Sequence, residues 1–199
     1  MKYLLRALQR HQIKPRLAAL KLLILDVDGV LTDGGLWFSA DGELQKRFDV
    51  RDGLGIKLLQ QAGLTIAFLS GGSGGATEVR AKQLGISYCL VEIKDKPRAL
   101  AQLQNDLRIG QQHTGFIGDD LNDLAVKKQI NLLITPADAC TAVRRQADWV
   151  LSRNGGQGAV REAAEAILKS RGAWKSLRHN GRRERNDRKQ ITRLYPTAI

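Results

Sequence analysis

Residues 22–35, LLILDVDGVLTDGG, decide how the chain is read. The apolar run Leu22-Leu23-Ile24-Leu25 stops at two aspartates one residue apart, Asp26 and Asp28, followed by Gly29, Thr32 and the pair Gly34-Gly35. A short apolar run bounded by turn formers reads as a strand buried on both faces of a parallel sheet. The carboxylates then sit at its carboxyl end, where open α/β sheets bind ligands. Two carboxylates this close repel each other unless a cation or a proton shares the site. Mg²⁺ suits such a place, because it takes oxygen ligands from one or two carboxylates plus water and phosphate. On those letters alone a solvated Asp-x-Asp-Gly turn is an equal reading, and the motifs further along must decide.

Working outward, Gly34-Gly35 and Asp41-Gly42 bracket Leu36-Trp37-Phe38, and Glu43 to Phe48 comes next. An Asp-Gly pair between two strand-like runs signals a hairpin, so 35–48 is expected to form a β-hairpin flap over the aspartates. Strand and helix signals then alternate. Helices are expected over 54–61, 76–84, 96–107, 121–128, 141–146 and 158–170. Strands are expected at 64–69, 88–91, 114–117, 130–134 and 149–151. Gly63 and Gly85 fall at helix C-caps and Pro97 in a first turn. Such alternation predicts an α/β fold, a doubly wound (Rossmann-like) parallel sheet. Before the first strand, Leu4, Leu5, Leu8 and Ile13 give a helical stripe that Pro15 is expected to end.

The 199 residues suffice for one sizeable core and leave a tail. The net charge of +12 is unevenly placed. Residues 1–21 carry +6 and residues 171–199 carry +7, so the body, 22–170, is near neutral at −1. The chain thus divides into three segments: a basic amino-terminal helical extension (1–21), one folded domain (22–170), and a basic carboxyl-terminal tail (171–199) expected to be flexible or to fold only on another subunit. Cys89 and Cys140 lack metal spacing and read as small buried thiols of a reducing compartment. Arg6 and Arg10 interrupt the amino-terminal apolar stretch, which excludes a signal peptide, and no run reaches membrane-spanning length. The expected location is the cytoplasm.

Polar groups now gather at one crevice: Asp26 and Asp28, Ser70 after the second strand of the sheet, Lys96 at a helix start, and Asp119, Asp120 and Asp123 after the fourth. Each is weak evidence alone, and their order and placement together are strong. D-V-D-G-V-L-T, a strand ending in Ser70, then Lys96, then G-D-D-L-N-D resembles the haloacid dehalogenase superfamily of phosphatases over nearly all of 22–170. The resemblance implies Asp26 as the nucleophile that forms an aspartyl-phosphate and Asp28 as general acid, then base. It implies Ser70 and Lys96 as holders of the phosphoryl oxygens. It assigns Mg²⁺ to Asp26, Asp119 and the backbone carbonyl of Asp28, with Asp120 and Asp123 supporting the metal or orienting Lys96.

Superfamily members usually insert a cap domain, and the intervals between these motifs leave no room for one, so the chain looks capless. Neighbouring subunits would then exclude water from the site, with the flap at their interface. Within the capless group, DVDGVLTDG, F-D-V-R-D-G (48–53), V-R-A-K-Q-L-G-I (79–86), K-D-K and G-G-Q-G-A-V-R-E (155–162) resemble the 3-deoxy-D-manno-octulosonate 8-phosphate phosphatases. That family is tetrameric, Mg²⁺-dependent and active in lipopolysaccharide biosynthesis. Carried over by position, substrate contacts fall on Asp28, Asp49, Val50, Arg51, Asp52, Gly53, Lys57, Arg80, Lys96 and Asn122, some of them in a neighbouring subunit's site. Three positions depart from the family pattern: Gly72 replaces an arginine, Asp49 an asparagine, and Lys57 an arginine. These changes leave the phosphoryl chemistry intact and bear on the sugar, with a nine-carbon keto-acid sugar 9-phosphate as the competing substrate. From a different class comes a non-catalytic scaffold that binds nucleic acid or protein through its basic ends. The filled catalytic positions favour the enzyme, and nucleic acid is not an expected partner.

Overall fold

A computed structural model describes residues 12–180. Helix α1 (Lys14–Ala19) leads into β1 (Leu22–Leu25), after which the chain forms β2 (Trp37–Phe38) and β3 (Leu44–Gln45). Then come α2 (Val50–Gln61), β4 (Thr65–Leu69), α3 (Ala76–Leu84), β5 (Tyr88–Leu90), α4 (Lys96–Leu107) and β6 (Thr114–Ile117). The last elements are α5 (Leu121–Leu124), β7 (Leu132–Thr135), α6 (Thr141–Gln146), β8 (Trp149–Val150), α7 (Ala159–Ser170) and α8 (Trp174–Asn180).

One six-stranded sheet runs in the order β5-β4-β1-β6-β7-β8, and its neighbours pair in parallel throughout. The chain leaves β1 for β4 and β5 on one side, then crosses to β6, β7 and β8 on the other. The carboxyl end of β1 is therefore a topological switch point, where the flanking connections diverge and open a crevice. Register keeps the tips level, since Leu25 pairs with both Phe68 and Ile117. The expected doubly wound fold without a cap is borne out.

β1 is apolar at every position because both of its faces are covered. Leu23 and Leu25 face one core with Phe68, Ile117, Ile56 of α2 and Ile167 of α7. Leu22 and Ile24 face the other, with Ala67, Phe116, Leu133, and Leu100 and Leu103 of α4. Adjacent side chains point to opposite faces of a strand, so an alternating strand would have left one core without a wall.

The flap forms as expected, with Trp37 opposite Gln45 and Phe38 opposite Leu44 in antiparallel pairing. Other boundaries differ. Pro15 lies in the first turn of α1, where its missing N–H has no helical partner to lose, and the helix expected ahead of it falls almost wholly on residues outside the described part. Leu4, Leu5 and Leu8 lie outside the described residues. Helix α2 begins at Val50 rather than 54, because the Asp49 side chain accepts from the Arg51 N–H and caps it. The helix expected over 121–128 stops at Leu124 and gives way to a 3-10 turn, Lys127–Gln129. Residues beyond Arg171 are not all without structure, since α8 packs Trp174 and Leu177 on the core beside α7. Lys169 and Arg161 lie 5.0 and 5.7 Å from the Trp174 ring centroid, in cation–π geometry. An aromatic and a leucine at i,i+3 were enough to seat one more helix; residues 181–199 lie outside the described part.

Candidate active site

β1 delivers Asp26 with little freedom. The Asp26 N–H donates to the Ile117 carbonyl at 2.9 Å, continuing the ladder with β6. A tight turn comes next, in which the N–H groups of Leu31 and Thr32 donate to the Val27 carbonyl at 2.9 and 3.1 Å. The Thr32 hydroxyl, fully buried, accepts from the N–H groups of Gly29 and Gly34 at 3.4 and 3.2 Å. Gly29 has φ +83°, and a Cβ there would fall 2.1 Å from Asp119 Oδ2. Only glycine allows both that backbone conformation and that approach. Behind the turn, a Cβ on Gly155 would lie 1.9 Å from the Gly29 carbonyl, so the 155–158 loop braces the motif by backbone contact.

The neighbouring strands add their tips. Ser70, buried after β4, donates its N–H to the Leu90 carbonyl at 2.9 Å and accepts from the Gly72 N–H through its hydroxyl at 3.1 Å. Lys96 opens α4, whose start is capped by Asp95 accepting from the Arg98 N–H. Its ammonium donates to Asp26 Oδ1 at 3.0 Å and to Asp123 Oδ1 at 2.6 Å. Asp123 is fully buried, and its other oxygen accepts from the N–H groups of Asp119 and Asp120 at 2.8 and 3.3 Å.

Asp26, Asp28, Ser70, Lys96, Asp119, Asp120 and Asn122 thus line one open cleft of about 410 Å³, together with Lys94 and Gly72. The expected supporting roles divide. Asp123 accepts from the Lys96 ammonium, whereas Asp120 caps α5 by accepting from the Leu121 N–H at 2.7 Å and has no hydrogen bond to Lys96. The expected substrate contacts divide too. Within one chain, Asp49, Val50, Arg51, Asp52, Gly53, Lys57 and Arg80 do not line this cleft. Asp49 is held by Arg51 at 2.6 Å, and that hydrogen bond keeps its carboxyl below the usual range. Asp52 accepts from the Gly158 and Arg161 N–H groups at 3.2 and 2.7 Å, a cap for α7. Arg80 donates to the Asp49 carbonyl at 3.3 Å and lies over the Phe48 ring, and its guanidinium passes where a Cβ on Gly53 would fall. Arg51 lines a separate hollow with Gly158 and Arg161.

One participant escaped the sequence: Lys46, on the flap, whose ammonium lies 2.8 and 2.9 Å from the two Asp28 oxygens. A flap expected to stand over two carboxylates invites a cation, but nothing in the letters separates Lys46 from Arg47 beside it. Arg47 turns outward, 62% exposed, towards Asp33 at 3.7 Å.

Charge at the tip of β1 is out of balance. Oxygens of Asp26, Asp119 and Asp123 lie within 4.8 Å of one another. Burial, then the Asp123 charge, pushes Asp26 up to about 6, although Lys96 pulls it back. Burial, then the charges of Asp26, Asp123 and Asp120, pushes Asp119 up to about 8. Burial would lower the Lys96 ammonium, but the facing carboxylates outweigh it and leave it raised. Asp119 Oδ1 is buried with no hydrogen-bond partner. Both oxygens of Asp123 are already engaged, so Asp26 and Asp119 are the carboxylates with capacity to spare. An oxygen-rich, anionic, partly unsatisfied pocket fits a hard divalent cation.

No family model matches the chain. A curated 3-deoxy-D-manno-octulosonate 8-phosphate phosphatase from Haemophilus influenzae is 39% identical over 160 residues, 80% of this chain and 89% of that protein. The chain belongs to the 3-deoxy-D-manno-octulosonate 8-phosphate phosphatase family. The crystal structure of a family member from Moraxella catarrhalis, in complex with magnesium ion, phosphate ion and KDO, superposes with a TM-score of 0.83 at 35% identity, covering 86% of this chain and 99% of that one. The cobalt-bound form of the Haemophilus influenzae phosphatase gives 0.78 at 39% identity, covering 81% and 95%. A Cβ on Gly72 would lie 2.8 Å from Asp28 Oδ2 and 3.6 Å from Lys46 Nζ.

Proposed function

We propose that the chain is a Mg²⁺-dependent phosphoric monoester hydrolase that acts on 3-deoxy-D-manno-octulosonate 8-phosphate through an aspartyl-phosphate. The observation that carries the reading is the meeting of Asp26, Lys96 and Asp119, from three separate segments, at one strand tip. Asp26 attacks phosphorus, and the bond to the sugar oxygen breaks as Asp28 gives that oxygen a proton. Asp28, now a carboxylate, takes a proton from water, whose oxygen displaces Asp26 and frees inorganic phosphate. A carboxylate approaching a phosphate dianion meets repulsion, which Lys96 reduces while Ser70 and Lys96 hold the phosphoryl oxygens. Mg²⁺, held by Asp26, Asp119 and the Asp28 carbonyl, would supply further charge neutralisation. Asn122 and Lys94 line the mouth of the cleft, where the sugar and its carboxylate would lie.

The family reading extends to a homo-oligomer, a tetramer, that works in the cytoplasm in lipopolysaccharide biosynthesis. No helix among the described residues is long and apolar enough to cross a membrane. Exposed Trp37 and Phe38 of the flap and Val50 of α2 support a covering subunit, as does the placement of Arg51 and Arg80 away from this chain's own cleft. A nine-carbon keto-acid sugar 9-phosphate is the second reading, favoured by Gly72, which leaves the cleft wall without a side chain. Phosphate release from eight- and nine-carbon keto-acid sugar phosphates, with Mg²⁺, tests both. Release from neither, or release that survives Asp26→Asn, would refute the reading.

A further inference from the structure

We propose that Lys46 is a positioning residue for Asp28, aiming it at the leaving-group oxygen and fastening the flap over the cleft; this rests on the phosphatase reading above. The tip of the flap stands exposed, and its base is held by Phe48 against the core and by Lys46. Trp37 and Phe38 are 65% and 67% exposed, whereas the Lys46 side chain is 1% exposed. An ammonium is buried at a cost unless its donors find partners, and Lys46 donates to Asp28 Oδ2 and to Thr77, while Asp28 Oδ1 is held in ion-pair contact without a hydrogen bond. The Lys46 ammonium lies 2.8 and 2.9 Å from the two Asp28 oxygens and 3.3 Å from the Thr77 hydroxyl. Thr77 is fully buried in α3, so Lys46 ties the flap to the body and Asp28 to both. Asp28 keeps 30% of its side chain exposed, and it also lines the cleft.

Position 72 strengthens the assignment. A side chain there would begin 2.8 Å from Asp28 Oδ2 and 3.6 Å from the Lys46 ammonium. With glycine in place, no side chain from that loop contests the pair, and the flap supplies the cation beside Asp28. Both proton transfers need the Asp28 carboxyl pointed at one place: the sugar oxygen when its bond to phosphorus breaks, then the water that replaces it. A carboxyl free to rotate serves neither step well.

The test separates the protonated step from the rest. Wild type, Lys46→Met, Lys46→Arg and Asp26→Asn are mixed with Mg²⁺ and either an alkyl sugar phosphate or 4-nitrophenyl phosphate, and phosphoenzyme formation is followed by rapid quench. The nitrophenolate leaves without a proton, whereas the sugar alkoxide does not. Lys46→Met is expected to slow phosphoenzyme formation from the sugar phosphate roughly 10²-fold and to leave the nitrophenyl burst nearly unchanged. Lys46→Arg keeps the charge but not the point-like geometry; it should show the same selectivity in smaller measure, and it carries the test if the methionine variant does not fold. Equal losses on both substrates, or no loss on either, would overturn the proposal. Wild type inactive on both, like Asp26→Asn, would instead refute the phosphatase reading on which it rests.

Discussion

Two clusters of carboxylates and cations lie in this molecule, and they are built on opposite terms. Around the start of α2, Asp49 and Arg51 satisfy each other, Asp52 is spent on two N–H groups of α7, and Arg80 closes over Phe48 and Gly53. At the tip of β1, carboxylates outnumber the lysine that serves them, and Asp119 Oδ1 is buried without a partner. A balanced cluster holds elements together. An unbalanced one is costly unless something arrives to complete it. The sequence shows acidic and basic letters in both places, and the hydrogen-bond accounting tells them apart.

The contrast can be broken most decisively at Asp26. Asp26→Asn keeps the shape and removes the nucleophile, so phosphate release with Mg²⁺ should fall by roughly 10⁴-fold or more, with the thermal midpoint retained. Residual turnover near the wild-type rate would mean that the unbalanced cluster is not a reaction centre. Lys96→Met comes next. Turnover should drop roughly 10²- to 10³-fold, and in metal-free protein the buried carboxylates left behind should cost about 3–5 kcal/mol in urea denaturation.

Metal separates the two clusters directly. Mg²⁺ at a hundredfold excess over its Kd should stabilise the wild type by about 2.7 kcal/mol, read as a rise in thermal midpoint. Asp119→Asn should abolish most of that rise, and Asp52→Ala should keep it. The Asp52 change itself should cost about 1–2 kcal/mol through the lost cap of α7.

The smallest effect is a pH dependence. Burial raises Asp52 to about 6, despite the two N–H donors that favour its charge. A folded-state value above the unfolded one means that the group's stabilising share is complete below about pH 4 and is lost as pH rises through about 6. Relative to Asp52→Asn, the wild type should therefore lose stability between those limits. A difference between the two that does not vary with pH would show that the site is better solvated than its burial suggests.

Much of the site is legible because strand tips are legible. The run Leu22–Leu25 announces a strand covered on both faces, and the residues just past such a strand lie at the crevice of the sheet. Asp26, Ser70 and Asp119 can be placed together by that rule, and Lys96 by its position at a helix start. Lys46 cannot be, because its reach depends on how the hairpin leans on α3, which is set by tertiary contacts with no local period. Asp52 misleads for a related reason: a carboxylate in the first turn of a helix looks available, and its partners are residues of α7, far along the chain. Trp174 is a smaller case, an aromatic anchor hidden by its basic surroundings.

Strand β1 is flanked by β4 and β6, which lie on its two sides and both follow it in the chain. Cutting the polypeptide anywhere between Leu69 and Asp119 separates groups that must touch, so neither half can hold a working centre by itself. Chemistry here is a property of the completed sheet, and a nascent chain would be inert until its sixth strand-forming segment, Thr114–Ile117, slots in beside the first.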